Sequence, residues 1–525
     1  MSADVPDATF LSDYHQYRAE HDPDGSCWTF GERRWTWGEA WDDIRRFAGA
    51  LRAEGIERGD RIAFLDKNNP AILIATQAVC LIGASNAIVN WRLAGDELDY
   101  VINDSGARIL FVGHELMPAI ELIRDKLAAV EKVIVVGGEN DELEAWIAAG
   151  EPVDRQPDVE PSDPCLIMYS SDTTGRPKGV VLTQHNMVTH AHNSLGDVEY
   201  SDGDVVLIAM PMFHVGGSSY ALAGPATGTA GYIIPEVDAQ QLAQAMMAGA
   251  THAFLVPAVV AALLQAGPEA MALFSRLKVF AYGAAPMPLP LLRAAMEAWP
   301  TTTFMQVYGM TEFGGVVTIL DDAAHRDADH PERLVSAGRP IPGVEVRVVD
   351  PATLEDAEPG TAGELWFRTE QSTPGYHEQP EATKELITAD GWVRTGDIGR
   401  VDGPADDGGF VFVEDRVKDM IISGGENIYS PEVERVLAEH PSVLELAVIG
   451  VPDDTWGESV KAVVAFHPEK AVAPEELIDF ARERLAHYKA PKTIDVVEAL
   501  PRNPSGKILK RDLRKQYWPD AERQV

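Results

Sequence analysis

The sequence predicts an α/β fold: a large N-terminal domain of parallel-sheet αβ subdomains carrying a β-rich subdomain, then a small α+β C-terminal domain. Three observations carry that expectation. Short apolar runs alternate with helical patterns through the first part of the chain. Between Gly338 and Arg416 the texture turns to closely spaced β runs with Gly turns, and a compact unit of roughly a hundred residues follows. At 525 residues the chain also exceeds what one core fills.

Taken in order, "AWDDIRRFAGALRAEGI" places Trp41, Ile44, Phe47 and Leu51 on one helical face. "DRIAFL" and "ARILFVG" read as buried strands, and the helices between them imply βαβ units. Ala71 to Trp91 is long enough to cross a bilayer, yet Gln77, Gly83, Ser85 and Asn86 interrupt it. It reads as a buried helix, a turn at "IGAS" and a strand, so no integral membrane segment is expected. "DVVLIAMP", "GTAGYIIP", "THAFLVP" and "LKVFAYGAAP" continue the alternation. "GVEVRVVD", "AGELWFR", "WVRTGDIG" and "GFVFVEDR" form the β-rich subdomain, residues 338–417 of a domain spanning 1–417. In residues 418–525, "PEVERVLAEH" is a helix opened by Pro. "SVLELAVIGVP" and "SVKAVVAFHP" are strands, "APEELIDFARERLA" is a second helix, and a basic tail ends the unit.

A net charge of −38 excludes nucleic acid as a partner and disfavours anionic lipid, since both require clustered Lys and Arg. The stretch His487 to Arg514 departs from this trend. It holds Lys489, Lys492, Arg502, Lys507, Lys510, Arg511 and Arg514 against Asp495, Glu498 and Asp512, and it suggests a small anionic ligand. Cys27, Cys80 and Cys165 show neither metal spacing nor an even set, which points to a reducing compartment. The acidic start "MSADVPDATFLSDYHQ" lacks the basic-then-apolar run of a secretory signal, so a cytoplasmic location is expected. Oligomeric state stays open, a homodimer included.

"MYSSDTTGRPKGVV", Met168 to Val181, gathers hydroxyls, glycines and a lysine, a combination that cradles phosphate oxygens. It lacks Walker spacing, and alone it would read as a surface loop. Its company changes that: "VYGMTE", "DGWVRTGDIG", "VEDRVKDMIISGGENIYSPEVE" and "NPSGKILK" follow in order. With these the chain resembles the adenylate-forming superfamily of acyl-CoA synthetases, nonribosomal-peptide adenylation domains and firefly luciferases. Its wording is nearest to bacterial fatty-acyl-CoA ligases.

The resemblance implies an enzyme that joins a carboxylate to the α-phosphate of ATP, expels pyrophosphate, and lets coenzyme A displace AMP. Mg²⁺ would accompany ATP. Ser171, Thr173, Thr174, Gly175 and Lys178 would hold the β- and γ-phosphates. Tyr308 would lie against adenine, in a run with Gln306 and Gly309, and Gly283, Ala284 and Ala285 would leave room for the purine. Thr311 would contact the α-phosphate, and Glu312 with Ser170 would hold the metal. Asp397 would accept the ribose hydroxyls and Arg416 would add a positive contact. Lys507 would bridge carboxylate and phosphate as they meet, a gain concentrated in the transition state. Lys510 and Lys492, by contrast, read as solvated surface lysines. Lys418 falls at the family's hinge, about which the mobile C-terminal domain would rotate to exchange Lys507 for Ser423, Gly424 and Gly425 on the pantetheine path.

For the acid, the pocket candidates are His214, Val215, Gly216, Gly217, Met310, Gly314 and Gly315, with Met212, Val256 and Phe313. Amino-acid-activating relatives carry Asp where His214 stands, so an α-amino acid is disfavoured. No arginine among these residues awaits a second carboxylate. Small residues at Gly314 and Gly315 leave room for a long substituent. The expectation is an apolar monocarboxylate, a medium- or long-chain fatty acid ahead of an aryl or polycyclic acid.

Asp172 departs from the family, which has Gly there. A carboxylate ~5 Å from a phosphate oxygen costs about 3 kcal/mol at an effective dielectric near 20, about a hundredfold in ATP affinity. Pointing outward or joining the metal would relieve it. Two rivals follow: adenylation with a carrier-protein or nitrogen-nucleophile acceptor, and a non-catalytic nucleotide-binding protein. Hydrolase-elbow, His-Glu-x-x-His and dinucleotide motifs are absent.

Overall fold

The computed structural model describes residues 6–170, 176–195, 198–285, 287–403, 409–416, 419–423, 426–453, 455–502 and 508–518, without the side chains of Ser170, Ala223, Glu426 and Asn427. Among them the strands form four sheets. One runs Gly375–Tyr376, Lys178–Thr183, Pro164–Ser170, Ser85–Ile88, Arg61–Leu65, Ile109–Gly113, Lys132–Val136. A second has Gly315–Leu320, Thr303–Met310, Val279–Gly283, His252–Leu255, Val205–Ile208, Ala230–Ile233 and Ser26–Phe30 in that order, with Arg339–Pro340 and Arg33–Thr36 at its edges. Pairing is parallel through the middle of both; the second sheet turns antiparallel at both ends, the first only at the end of Pro164–Ser170, Lys178–Thr183 and Gly375–Tyr376.

The expected alternation of helix and strand is present. The first amphipathic pattern is the helix Trp37–Ala53, opened by a capping box between Thr36 and Glu39. Ile44, Phe47 and Leu51 on it are fully buried, and Trp41 packs at the margin. The apolar stretch that had to be weighed as a span is the helix Pro70–Ile82, a left-handed Gly83 and the strand Ser85–Ile88. Its thirteen residues are all buried between the layers. Among the described residues no helix is long and apolar enough to cross a membrane.

The four β runs form one antiparallel sheet in the order Glu345–Val349, Gly363–Arg368, Val393–Asp402, Phe410–Arg416. Its core of Leu365, Phe367, Val393 and Val411 continues to Phe313 and Tyr308, which ties this sheet to the second one. The C-terminal unit has its own core around Val433, Leu437, Val448, Val460 and Leu477. There the strands Val443–Asp453 and Gly457–Phe466 pair antiparallel beneath the helices Ser430–Ala438 and Pro474–Arg482. Within the basic tail the chain adds a parallel strand, Thr493–Val496, and a short helix, Lys510–Arg514.

Candidate active site

The hairpin of Thr303–Met310 and Gly315–Leu320 builds the centre of the site. An added Cβ at Gly309 would lie 1.8 Å from the Gly315 carbonyl oxygen, so glycine there lets the two strands close. The turn Thr311–Phe313 then aims Tyr308 and Glu312 from one short stretch toward two groups of partners.

At the first, the Tyr308 hydroxyl donates to Asp397 Oδ2 at 2.7 Å, and Arg416 Nε stands 3.1 Å from Asp397 Oδ1. Asp397 and Arg416 face each other across the ladder of neighbouring strands. Burial, then the Asp397 charge, pushes the Tyr308 phenol well above its ordinary range. Asp397 raises the Arg416 guanidinium in turn. The carboxylate is 7% exposed and the guanidinium 39%, so the pair presents its cation to solvent. Three contacts fix the "RTGD" turn: Thr395 Oγ1 donates to the Leu365 carbonyl at 2.7 Å, the Asp397 N–H donates to Thr395 Oγ1 at 3.0 Å, and the Gly396 N–H donates to the buried Glu364 carboxylate at 3.0 Å. Asp397 keeps acceptor lone pairs beyond those in use.

At the second, Glu312 is 6% exposed and accepts from the Tyr376 hydroxyl at 2.9 Å. Burial raises its carboxyl, while its own backbone N–H, then the Tyr376 hydroxyl and the charges of Arg416 and Lys178 act the other way. Lys178 opens the strand beside Tyr376, its ammonium 5.2 Å over the ring. A buried carboxylate near a lysine suits a hard cation held jointly with phosphate. Among the described residues no group of three or more His, Cys, Asp or Glu gathers. Such an ion would take most of its oxygens from phosphate and water, as Mg²⁺ does. Thr311 lies between the two groups on the same turn. Gln306 faces Tyr282 in the next strand, and Ala284 beyond it holds a left-handed backbone at φ 63°, exposed together with Ala285. Gly283 packs flat on Val307, whose carbonyl oxygen would lie 2.3 Å from a Cβ there.

His214 precedes the helix Val215–Thr227. The segment before it is held by Asn68, which accepts from Met212 N–H at 2.8 Å and donates to the Met210 carbonyl at 3.0 Å. Burial first, then the Arg92 charge, lowers His214 to about 4, so the ring is neutral at pH 7. Arg92 stands 5.7 Å over the Phe213 ring, which brings an arginine to a region where the pocket residues named from sequence had none. Gly216 abuts Phe254, and Tyr220 meets the same ring edge-on at 5.9 Å. Gly217 crosses the Pro211 carbonyl, 2.2 Å from where a Cβ would sit. Met310 and Val215 are partly buried against neighbouring cores. Gly314 and Gly315 adopt φ 65° and 141°, and a Cβ at Gly315 would meet His190 Nε2 at 2.5 Å. Glycine there answers to backbone conformation and to His190, whose Nε2 accepts from the Val316 N–H, rather than to open space for a substituent.

Ser171, Asp172, Thr173, Thr174, Gly175, Lys418, Gly424, Gly425 and Lys507 lie outside the described residues, as does the Ser170 side chain; Ser423 closes the strand Ile421–Ser423. Two readings of the basic tail are corrected. Among the described residues, cations read as an open anion patch are paired: Lys489 with Glu432, Lys492 with Asp453, Arg502 with Glu445 and Arg514 with Asp419, each an acid of the same unit. Nor is Lys510 a solvated lysine. It is largely buried, 2.8 Å from Glu434 Oε1 and 2.5 Å from Ser430 Oγ. Ser430 in turn donates its N–H and hydroxyl to Asp415 Oδ2 at 2.7 and 3.0 Å. Sequence reasoning missed Tyr376, Glu364 and Asn68, since each acts through a partner distant in the chain, and Asp415, whose partner Ser430 lies in the same quoted run.

Comparison with known proteins agrees with this arrangement. Residues 15–377 match the profile of the AMP-binding enzyme family, and residues 432–507 match that of the AMP-binding enzyme C-terminal domain. The chain is 35% identical to a fatty acid–[acyl-carrier-protein] ligase of Streptomyces coeruleorubidus over 97% of this chain and 96% of that protein. It is 36% identical to a feruloyl-CoA synthase of an Amycolatopsis species over 95% and 97%. The crystal structure of ATP-bound MatB from Rhodopseudomonas palustris superposes with a TM-score of 0.88 at 27% identity, covering 97% of this chain and 99% of the other.

Proposed function

The chain belongs to the AMP-binding enzyme family, and from that premise we propose that it adenylates an apolar monocarboxylic acid, a medium- or long-chain fatty acid foremost, and passes the acyl group to coenzyme A. It is an ATP-dependent, AMP-forming acid–thiol ligase by family. The observation that carries the proposal is that one turn sends Tyr308 to Asp397–Arg416 and Glu312 to Tyr376–Lys178. A nucleotide laid along that turn meets a ribose acceptor at one end and phosphate and metal contacts at the other.

In this reading Asp397 accepts the ribose hydroxyls, Tyr308 and Gln306 line the adenine with Gly283, Ala284, Ala285 and Gly309, and Arg416 and Thr311 face the α-phosphate. Lys178 holds the outer phosphates with Ser171, Thr173, Thr174 and Gly175. Glu312 and Ser170 would hold Mg²⁺, which when bound would neutralise phosphate charge. A carboxylate oxygen of the acid bonds to the α-phosphorus as the bond to the bridging oxygen breaks and pyrophosphate leaves. Lys507 compensates the charge where the two anions meet. The C-terminal domain, pivoting at Lys418 with 1–417 fixed, then brings Ser423, Gly424 and Gly425 to the acyl-adenylate. The thiol sulfur bonds to the acyl carbon, its proton is lost to solvent, and AMP leaves. A neutral His214 with Val215, Gly216, Gly217 and Met310 forms the acid pocket and disfavours a substrate ammonium. The cytoplasm, with the buried thiols Cys27, Cys80 and Cys165 reduced, is the proposed location.

Tyr220 on the helix of Gly216, with Phe213 and Phe254 beside it, supports an aryl acid as the second reading. Acid-dependent AMP release across fatty, aryl and dicarboxylic acids, with and without coenzyme A, tests both. Release with fatty acids and formation of acyl-CoA supports the proposal. Release only with aryl acids shifts it to the second reading. Release without acyl-CoA points to a carrier-protein or nitrogen acceptor, and no release with any acid ends the enzymatic reading.

A further inference from the structure

We propose that Tyr376 is a positioning residue for the triphosphate end of the site. Its hydroxyl orients the Glu312 carboxylate, and the loop it closes, residues 371–377, sets the spacing between that carboxylate and Lys178. The inference rests on the reading of Glu312 as a metal-holding acid and Lys178 as a phosphate contact.

The loop grips both sides of the cleft. On the Glu312 side, the Thr373 N–H donates to the Glu312 carbonyl at 2.7 Å and Gln371 Nε2 donates to the Phe313 carbonyl at 3.0 Å. On the phosphate side, the His377 N–H donates to the Gly179 carbonyl at 2.7 Å and Thr373 Oγ1 to the Val181 carbonyl at 2.5 Å. Gly375 and Tyr376 pair in register with Val181 and Val180, on the strand that Lys178 opens. Tyr376 stands between these grips, its hydroxyl 2.9 Å from Glu312 Oε1 and its ring under the Lys178 ammonium.

The loop has little freedom to adjust. The Tyr376 N–H donates to Thr383 Oγ1 and the Gly375 N–H to Thr373 Oγ1, both at 3.0 Å. Gly375 sits at φ 142°, where a Cβ would lie 2.4 Å from Thr383 Cγ2. Among the described residues the Glu312 carboxylate is held by its own backbone N–H and by one side-chain donor, the Tyr376 hydroxyl, and the two together fix its rotamer. Without the hydroxyl it loses both its orientation and a partner that offsets burial. Groups that orient a metal-holding side chain typically contribute 10–100-fold to metal affinity.

Tyr376→Phe removes the hydroxyl and keeps the ring beneath Lys178. The test is calorimetric binding of Mn²⁺·ATP, and of metal-free ATP in chelator, to the full-length protein without acid or coenzyme A. The expected result is Mn²⁺·ATP bound about 10–100-fold more weakly with metal-free ATP within about twofold. Glu312→Gln should show the same selective loss, and the double variant should be no weaker than Glu312→Gln alone. Equal loss of both ligands in Tyr376→Phe would mark a general packing role and overturn the inference. So would selective loss in Glu312→Gln without loss in Tyr376→Phe, leaving the reading of Glu312 intact. No loss in Glu312→Gln removes that reading and the inference with it. Should Tyr376→Phe not fold, Thr383→Val, which frees the Tyr376 backbone from behind, is expected to give the same selective loss at smaller amplitude. An unchanged Mn²⁺·ATP affinity there would count against the inference.

Discussion

The N-terminal body gives way to the C-terminal unit just past Arg416, and two carboxylates beside that residue, both of the body, face different halves. Asp397, across the ladder, spends its oxygens inside the body on Tyr308 and Arg416. Asp415, one residue earlier in the chain, accepts from Ser430, with Lys510 close behind, and so faces the C-terminal unit. The contrast separates two proposed tasks. The contacts proposed for the bound nucleotide are assembled within the body, whereas the cation proposed for the transition state comes from the C-terminal unit. In the proposed rotation about Lys418, Asp415 would stay with the body and Ser430 would move away, so the Asp415–Ser430 bonds would belong to one orientation only.

The division is broken most strongly through Lys507. Lys507→Ala is expected to lower acid-dependent ATP–pyrophosphate exchange about 10²–10³-fold, while conversion of preformed acyl-adenylate and coenzyme A to thioester stays within about twofold. Equal loss of both half-reactions would erase the distinction. Next comes the body's own irregularity, Asp172. Asp172→Gly is expected to tighten ATP by up to about a hundredfold, measured by calorimetry, and unchanged or weaker affinity removes the charge argument.

The carboxylate on the C-terminal side carries a pH signature. Burial raises Asp415 from its ordinary 3.8 to about 6. An acid raised on folding adds stability while protonated and loses it as pH climbs between those values, here with a ceiling of about 3 kcal/mol. Asp415→Asn lacks that dependence. The stability of the variant relative to wild type should therefore rise between pH 4 and pH 7 in denaturant titrations, and a constant difference would contradict the burial argument. The smallest effect tests the body at the opposite limit. His15 is wholly buried between Trp28 and Trp37, neither ring nitrogen has a partner among the described residues, and burial lowers it to about 3. A base held neutral loses stability as pH falls below its ordinary 6.5, about 2 kcal/mol by pH 5. His15→Leu should be within about 1.5 kcal/mol of wild type at pH 7 and gain on it by pH 5, as read from thermal midpoints. No gain on acidification would show that the histidine finds a partner in solution.

The fold was legible wherever a local pattern decides it: "DRIAFL", "ARILFVG" and the four β runs become strands because each is a short apolar segment between turns. The motifs likewise led to Tyr308, Glu312, Asp397 and Arg416, which the structure gathers. What was not legible depends on pairs far apart in sequence. Tyr376 meets Glu312 across 64 residues and Lys510 meets Ser430 across 80, and no window of sequence holds both members. The basic tail was misread for the same reason, because the acids that neutralise it lie on preceding strands and helices. Gly315 shows the converse: its smallness was read correctly, but its cause, the His190 ring, is contributed by the helix Gln184–Ser194.

The most direct test of the division between body and C-terminal unit is the affinity for Mg²⁺·ATP of Lys507→Ala beside that of Asp397→Asn, measured by calorimetry without acid. Lys507→Ala is expected to bind within about threefold of wild type and Asp397→Asn at least about tenfold more weakly, the loss of one charged hydrogen-bond acceptor. If Lys507→Ala loses affinity as severely as Asp397→Asn, or Asp397→Asn binds as wild type does, the nucleotide is not held by the body in the way described.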